Sequence, residues 1–323
     1  MDYQETVTRD TPWALDVTVV GEALIDVVTT PNHRSEHPGG SPANVAYGLA
    51  RLGVPTGLLT ALGPDIRGKT IESHLSSAGV VLLPGSRSLK QTASATANLT
   101  PDGSAHYDFD ITWDLDPCTP AAFRKILHTG SIATFLEPGA GVVKSLLEQT
   151  HGHCLMTYDP NIRPALLGSH QEAKALFEDF VALTDVVKLS YEDALWLYPG
   201  KSTGETAAHI LGLGARMCVI TKGAQGSQFT TPAVDISVPA VRTTVADTIG
   251  AGDSFMSALI FGLLNRSTEG FTPAVVEQLG RLATAAAAIT VHRPGAHPPT
   301  LEELNAMDAR LLSKPRRSVS GEG

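Results

Sequence analysis

Ala246-Asp247-Thr248-Ile249-Gly250-Ala251-Gly252-Asp253-Ser254-Phe255 is a tight glycine turn running straight into an apolar helical pattern (Phe255, Met256, Ala258, Leu259, Leu263). A helix start leaves its first backbone N–H groups without intrahelical acceptors, all pointing one way. Together with the helix dipole these amides, here those of Gly250, Ala251 and Gly252, make an anion site. Asp253 places a carboxylate beside it in the first turn. A carboxylate there is chemically useful when a hydroxyl attacks the anion and must give up its proton. Phosphoryl transfer has that geometry. An ordinary capped turn is the competing explanation, since Asp suits helix starts.

Outward from this stretch, short apolar runs alternate with helical segments. Strands are expected at 128–133, 154–158, 186–189 and 217–221, and helices at 142–149, 173–183, 192–197 and 206–211. Such alternation implies a mostly parallel sheet covered by helices on both faces, an α/β/α sandwich. Helices 254–264, 273–291 and 301–311 close the chain. Segments at about 27–38 and 91–115, the latter with a hairpin signal at Pro101-Asp102-Gly103, break the βα rhythm. They are expected to form a small β lid inserted into one domain spanning 16–312. Residues 1–15 should be a flexible N-terminus and 313–323 a disordered tail.

Bulk properties narrow the function. The 323 residues are 42% hydrophobic and 18% charged, as a globular chain with a sizeable core should be. A net charge of −9 argues against a nucleic-acid surface but not against a nucleotide substrate. No signal peptide and no membrane-length apolar run is visible, so a cytoplasmic location and no membrane partner are expected. Cys118, Cys154 and Cys218 are too few and scattered for a disulfide framework.

Several polar groups fall at expected strand ends, where α/β sites are built. Asp26 and the turn Gly39-Gly40-Ser41-Pro42-Ala43-Asn44 suit vicinal hydroxyls, though an exposed Asp and a plain helix start explain them equally. Arg163, in Asp159-Pro160-Asn161-Ile162-Arg163, could hold an anion bidentately or simply decorate a Pro-rich loop. Ser190, Glu192 and Asp193 could organise Mg²⁺ through water or form a capping box. Thr221, Lys222, Gly223 and Gly226 suit nucleotide contacts, or only a turn. His151-Gly152-His153-Cys154 lacks further ligands and reads as a loop rather than a metal site. Gly63-Pro64-Asp65-Ile66-Arg67-Gly68-Lys69-Thr70 matches the P-loop pattern literally. However, Pro64 removes a cradle N–H and Asp65 places negative charge in the nest, so a capped helix start is the better reading.

Taken together, these segments resemble the ribokinase-like (PfkB) carbohydrate kinases, most closely their fructokinase branch, from about Val17 to Pro298. The resemblance rests on Asp247–Asp253 and on Gly39–Ala46, with Gly21–Asp26, Asp159–Arg163 and Lys188–Ser190 as fructokinase-like versions of other motifs. It implies a ribokinase-like fold with a β lid and ATP-dependent, Mg²⁺-assisted phosphorylation of a sugar hydroxymethyl group, fructose first. By analogy Asp253 would be the base and Gly250, Ala251 and Gly252 the anion hole. Asp26, Gly39, Gly40, Asn44, Glu137 and Arg163 would meet the sugar. Asn161, Lys188, Thr221, Lys222, Gly223, Gly226 and Thr248 would line the nucleotide site. Asp193 and Glu192 would face Mg²⁺ through water, while Asp247 and Ile249 would face a monovalent cation such as K⁺. A homodimer through the lid edges is expected. Ile249 replaces the motif's usual threonine, and Phe109-Asp110-Ile111 lacks the lid ending of some fructokinases. Ribose, 2-keto-3-deoxygluconate and nucleosides stay open as substrates, as does a non-catalytic sugar sensor on the same fold.

Overall fold

The computed structural model describes residues 15–30, 32–99, 105–116, 125–265 and 270–313. Apart from Leu15 and Ser313, the two tails expected to be loose lie outside the described residues, as do Cys118 and the Pro101–Gly103 turn.

Nine strands form the main sheet: β1 (Val17–Val20), β4 (Thr56–Leu59), β5 (Val81–Leu82), β8 (Ile126–Gly130), β9 (Leu155–Asp159), β10 (Val186–Ser190), β11 (Met217–Thr221), β12 (Ser227–Thr230) and β13 (Asp235–Val238). Their order is β13-β12-β11-β10-β9-β8-β1-β4-β5. All neighbours are parallel except the β11–β12–β13 meander. The parallel strands read as continuous apolar runs because helices cover both faces. Val20, Leu127, Tyr158, Val187 and Cys218 point into one core with α3 (Gly139–Thr150), α4 (His170–Val181), α5 (Tyr191–Leu197) and α6 (Thr203–Gly212). Val17, Val19, Ile126, Val186 and Val219 point into the other with α1 (Ser41–Arg51), α2 (Ile66–Ser77), α7 (Ala251–Leu264) and α8 (Pro273–Val291). Helix α9 (Leu301–Ser313) packs outside α8. Helix α8 is long and apolar enough to cross a membrane, yet two-thirds of its apolar window is buried here, which makes it a core helix.

Expected and observed elements agree to within a few residues, with one informative exception. The strand expected at 128–133 stops at Gly130, and Ser131–Thr134 tightens into a 3₁₀ turn with Ser131 at φ 57°. That turn sits where the sheet order reverses, between β1 and β8, which in open α/β sheets is where ligands bind.

A second, four-stranded sheet runs β3-β2-β6-β7, from β2 (Leu24–Thr30), β3 (His33–Gly39), β6 (Ser94–Leu99) and β7 (Ala105–Asp110). Its strands come from the two segments that broke the βα rhythm. Register sets Asp26 opposite His37, and Leu24 opposite Gly39. The lid therefore leaves the core directly after β1 and returns directly before α1.

Candidate active site

Helix α7 begins at Ala251 after Gly250, which takes the left-handed conformation (φ 74°), and no side chain caps it. A Cβ on Gly250 would stand 2.6 Å from the Ala296 Cβ, so both backbone sign and space require glycine. The Ala251 amide donates to the Thr248 carbonyl at a long 3.3 Å, and the amides of Gly252 and Asp253 that follow it are left for a ligand. The loop before them is locked rather than loose. Asp247 accepts hydrogen bonds from the amides of Ile249 (3.0 Å) and Gly295 (2.8 Å), which hold its carboxyl below the usual carboxylate range. Thr248 and Ile249 are exposed on that loop.

Asp253 projects from the first turn of α7 toward the N-terminus of α1. Ser41 donates its hydroxyl to Oδ1 (2.7 Å) and Asn44 its amide to Oδ2 (2.9 Å). Two sequence motifs about 210 residues apart therefore meet at one carboxylate. Asn44, expected at the sugar, orients this acid. Ser41 was not singled out in the sequence, although its place directly after the double glycine is the signal that could have found it.

Beneath α7 lies a buried ion pair, with Lys188 Nζ donating to Asp159 Oδ2 at 2.7 Å and both side chains almost fully enclosed. Burial works against the lysine's charge, but the carboxylate overrides it, helped by Asp193 and Asp253, and the ammonium is held protonated above its ordinary range. A Cβ on Gly252 would come within 3.2 Å of Nζ, so the positive charge stands directly under the helix mouth. Lys188, expected to touch nucleotide, is an internal counter-charge here. Asp159 Oδ1 is buried without a partner.

The lid side is built differently. Asp26 extends from β2 over Gly39, where any Cβ would collide with its carboxylate. Asp26 keeps an exposed face, yet the protein packed around it displaces enough water to push its carboxyl up to about 6. Arg163 and His37 oppose that rise, and Asp253 adds to it. Arg163 is exposed, and it donates to Asn161 Oδ1 (2.8 Å) and to the Ile162 carbonyl (3.1 Å). Asn161, expected at the nucleotide, thus serves Arg163. Gly40 (φ 97°) lies against the Glu22 carbonyl. Glu22 itself is buried at the sheet's switch point, with burial pushing its carboxyl up to about 8 against hydrogen bonds from Ser131 and Ala133 and the charge of Arg163. Sequence reasoning passed over Glu22 because a lone acid after a strand carries no spacing signal.

Other expected residues sort by geometry. Thr221, Lys222, Gly223 and Gly226 stand together at the end of β11, where Lys222 Nζ donates to Gln228 Oε1 (3.0 Å). Asp193 gives both oxygens to backbone amides, those of Ile162 (2.9 Å) and Ser190 (2.9 Å), in the capping box of α5. Both oxygens are thus engaged in fixing backbone, and the adjacent Glu192 is exposed. Among the described residues no three His, Cys, Asp or Glu side chains cluster as a metal site. Glu137 accepts from the Gly141 amide (3.2 Å) at the start of α3. In the P-loop-like stretch, Asp65 caps α2 through the Gly68 amide (2.8 Å) and is no part of a phosphate nest.

Residues 14–303 match the family profile described as "pfkB family carbohydrate kinase". The chain belongs to the pfkB family of carbohydrate kinases. This pfkB kinase is 33% identical over 261 residues to a fructokinase of Rhizobium leguminosarum bv. trifolii, covering 75% of this chain and 78% of that relative. It is similar to a Vibrio cholerae fructokinase double mutant solved with fructose, ADP and potassium (TM-score 0.77, 25% identity, 91% and 98% of the two chains). It also shares the fold of a putative ribokinase II from E. coli, solved with ATP and Mg²⁺ (TM-score 0.76, 23% identity, 92% and 99% of the two chains).

Proposed function

We propose that this kinase transfers the γ-phosphoryl group of ATP to the hydroxymethyl group of fructose, giving fructose 6-phosphate and ADP. The observation that carries this reading is the Asp253 carboxylate, fixed by Ser41 and Asn44 beside the uncapped mouth of α7. The sugar hydroxyl gives its proton to Asp253 as its oxygen bonds to the γ-phosphorus. The bond from that phosphorus to the β,γ-bridging oxygen breaks, and ADP leaves. Amides of Gly250 and Gly252, with that of Ala251 shared with the Thr248 carbonyl, take the charge of the travelling group, and Lys188 below adds a fixed positive field in a water-poor interior. Asp26, Gly40 and Arg163 hold the sugar, and the Thr221–Gly226 strand end together with Thr248 receives the nucleotide.

The residues fit a nucleotide polyphosphate, since an uncapped helix start with a cation beneath it is complementary to one. Magnesium, when present, neutralises phosphate charge. With Asp193 buried and both its oxygens bonded to amides, it would be carried by the phosphates and water, as Mg²⁺ commonly is. The relative solved with potassium supports a monovalent cation near Asp247, bound through loop carbonyls because the carboxylate is spent on amides.

A panel of fructose, ribose, 2-keto-3-deoxygluconate, adenosine and glucose, with ATP, Mg²⁺ and K⁺ and coupled to ADP release, tests the assignment. Fructose should give the highest kcat/KM, with one sugar phosphate per ADP. A higher kcat/KM on another acceptor would reassign the substrate. Sugar binding without ADP formation for every acceptor would mark a sensor.

A further inference from the structure

Arg67 lies in the P-loop-like stretch that the catalytic reading leaves unused, in the first turn of α2 on the body of the molecule. Its guanidinium reaches across to the lid. Nε donates to Glu36 Oε2 (3.0 Å) and Nη2 to Glu36 Oε1 (2.6 Å), a bidentate pair with strand β3. Nη1 donates to Ser94 Oγ (3.2 Å) on β6. Asp110, opposite Ser94 on β7, adds its field. One side chain thus addresses three of the four lid strands. Its own base is pinned where the chain enters β6, because Asp65 accepts from the Thr92 amide (2.7 Å) and hydroxyl (2.8 Å) as well as from Gly68. Glu36 is the next residue along β3 from His37, the cross-strand partner of Asp26.

We propose that Arg67 is a positioning residue for sugar binding, a charged strap whose grip on Glu36 and Ser94 sets the lid, and with it Asp26, over the pocket. A planar two-pronged donor fixes orientation as well as distance, which a lysine at the same position could not do. The consequence for the reaction rests on the proposed sugar-kinase function, whereas the consequence for the lid does not.

The test is a double-mutant cycle on the full chain with Arg67→Ala, Glu36→Ala and the pair, plus Arg67→Lys. Each single alanine variant should raise the sugar KM about 3- to 5-fold, leaving kcat and the ATP KM within about 2-fold. The pair should be no worse than the worse single, and Arg67→Lys should not restore KM. Hydrogen exchange without ligand reads the same claim independently of activity. Amides of β2 and β3 should exchange at least about 5-fold faster in Arg67→Ala, with β9 and β10 unchanged. Unaltered lid exchange would overturn the proposal, as would additive single effects or an equal loss in kcat. No turnover by the wild-type chain would instead defeat the functional reading and leave the exchange result to decide the strap.

Discussion

The two sheets hold their place by opposite means. Parallel strands β1, β4 and β8 of the main sheet are buried along their whole length between two apolar cores. In contrast, β3 of the lid carries His33-Arg34-Ser35-Glu36-His37, mostly exposed, and the lid's buried apolar contact with the body comes through β2, with Ile25 and Val27 in the second core and Leu24 in a small cluster with Ala93 and Ile132. Buried apolar area is worth roughly 25 cal/mol per Å² and does not let a layer slide. Partly exposed ion pairs such as Arg67–Glu36 are worth about 1 kcal/mol or less and can break and re-form. On the proposed function, the difference teaches a division of labour, with chemistry mounted on the apolar-packed sheet and part of the recognition on the lid. Asp253 and Lys188 belong to the first and Asp26 to the second, and the charge of Asp253 reaches Asp26 across the two.

Substitutions should separate the halves. The largest effect is expected at Asp253→Asn, which removes the proton acceptor and should lower kcat by about 10²- to 10⁴-fold while the melting temperature stays within a few degrees. Lys188→Met comes next and acts on the rigid side through stability. It leaves Asp159 buried and unpaired, a loss of about 3–5 kcal/mol, to be read by urea unfolding. A change below 1 kcal/mol would mean the pair is not what holds the sheet under α7.

Asp26→Asn tests the lid side. It should raise the sugar KM about 10- to 100-fold, the worth of one or two hydrogen bonds to a charged group, with a smaller loss in kcat. The sign of the pH dependence follows from the raised carboxyl. With a folded pKa near 6 the acceptor form is complete above that value and is lost as pH falls through it, so the wild-type sugar KM should climb below pH 6. The Asn variant should show a flat profile, and an unchanged acid limb in that variant would assign the titration elsewhere. Lys69→Ala should have the smallest effect, within about 2-fold on every constant, because Lys69 is exposed on a helix whose cap is Asp65. A loss of activity there would revive the P-loop reading of Gly63–Thr70.

How much of this was legible in the sequence follows the same division. The main sheet could be read almost residue by residue, because a parallel strand buried on both faces leaves an unbroken apolar run, as at Met217–Thr221 and Val186–Ser190. The mouth of α7 was equally legible, since only glycine serves at Gly250 and an acid directly after a bare helix start is a local signal. Partners distant in sequence were not legible. Nothing in Ser41 or Asn44 announces a bond to Asp253. Lys188 was expected at the nucleotide, and its burial against Asp159 depends on adjacent strands set by topology. Asp193 kept two readings, metal and capping box, and the geometry gives both its oxygens to amides. Arg67 read as no more than part of a capped helix start, and its role shows only with the lid strands beside it. In each case the missing information was a long-range contact, which local pattern does not encode.

Binding to a disabled enzyme tests the central claim most directly. Isothermal titration of fructose into Asp253→Asn, beside a turnover assay on the same sample, should show a dissociation constant within about 3-fold of wild type with kcat reduced at least about 10²-fold. Turnover kept within tenfold of wild type, or sugar binding lost from a still-folded variant, would contradict the account.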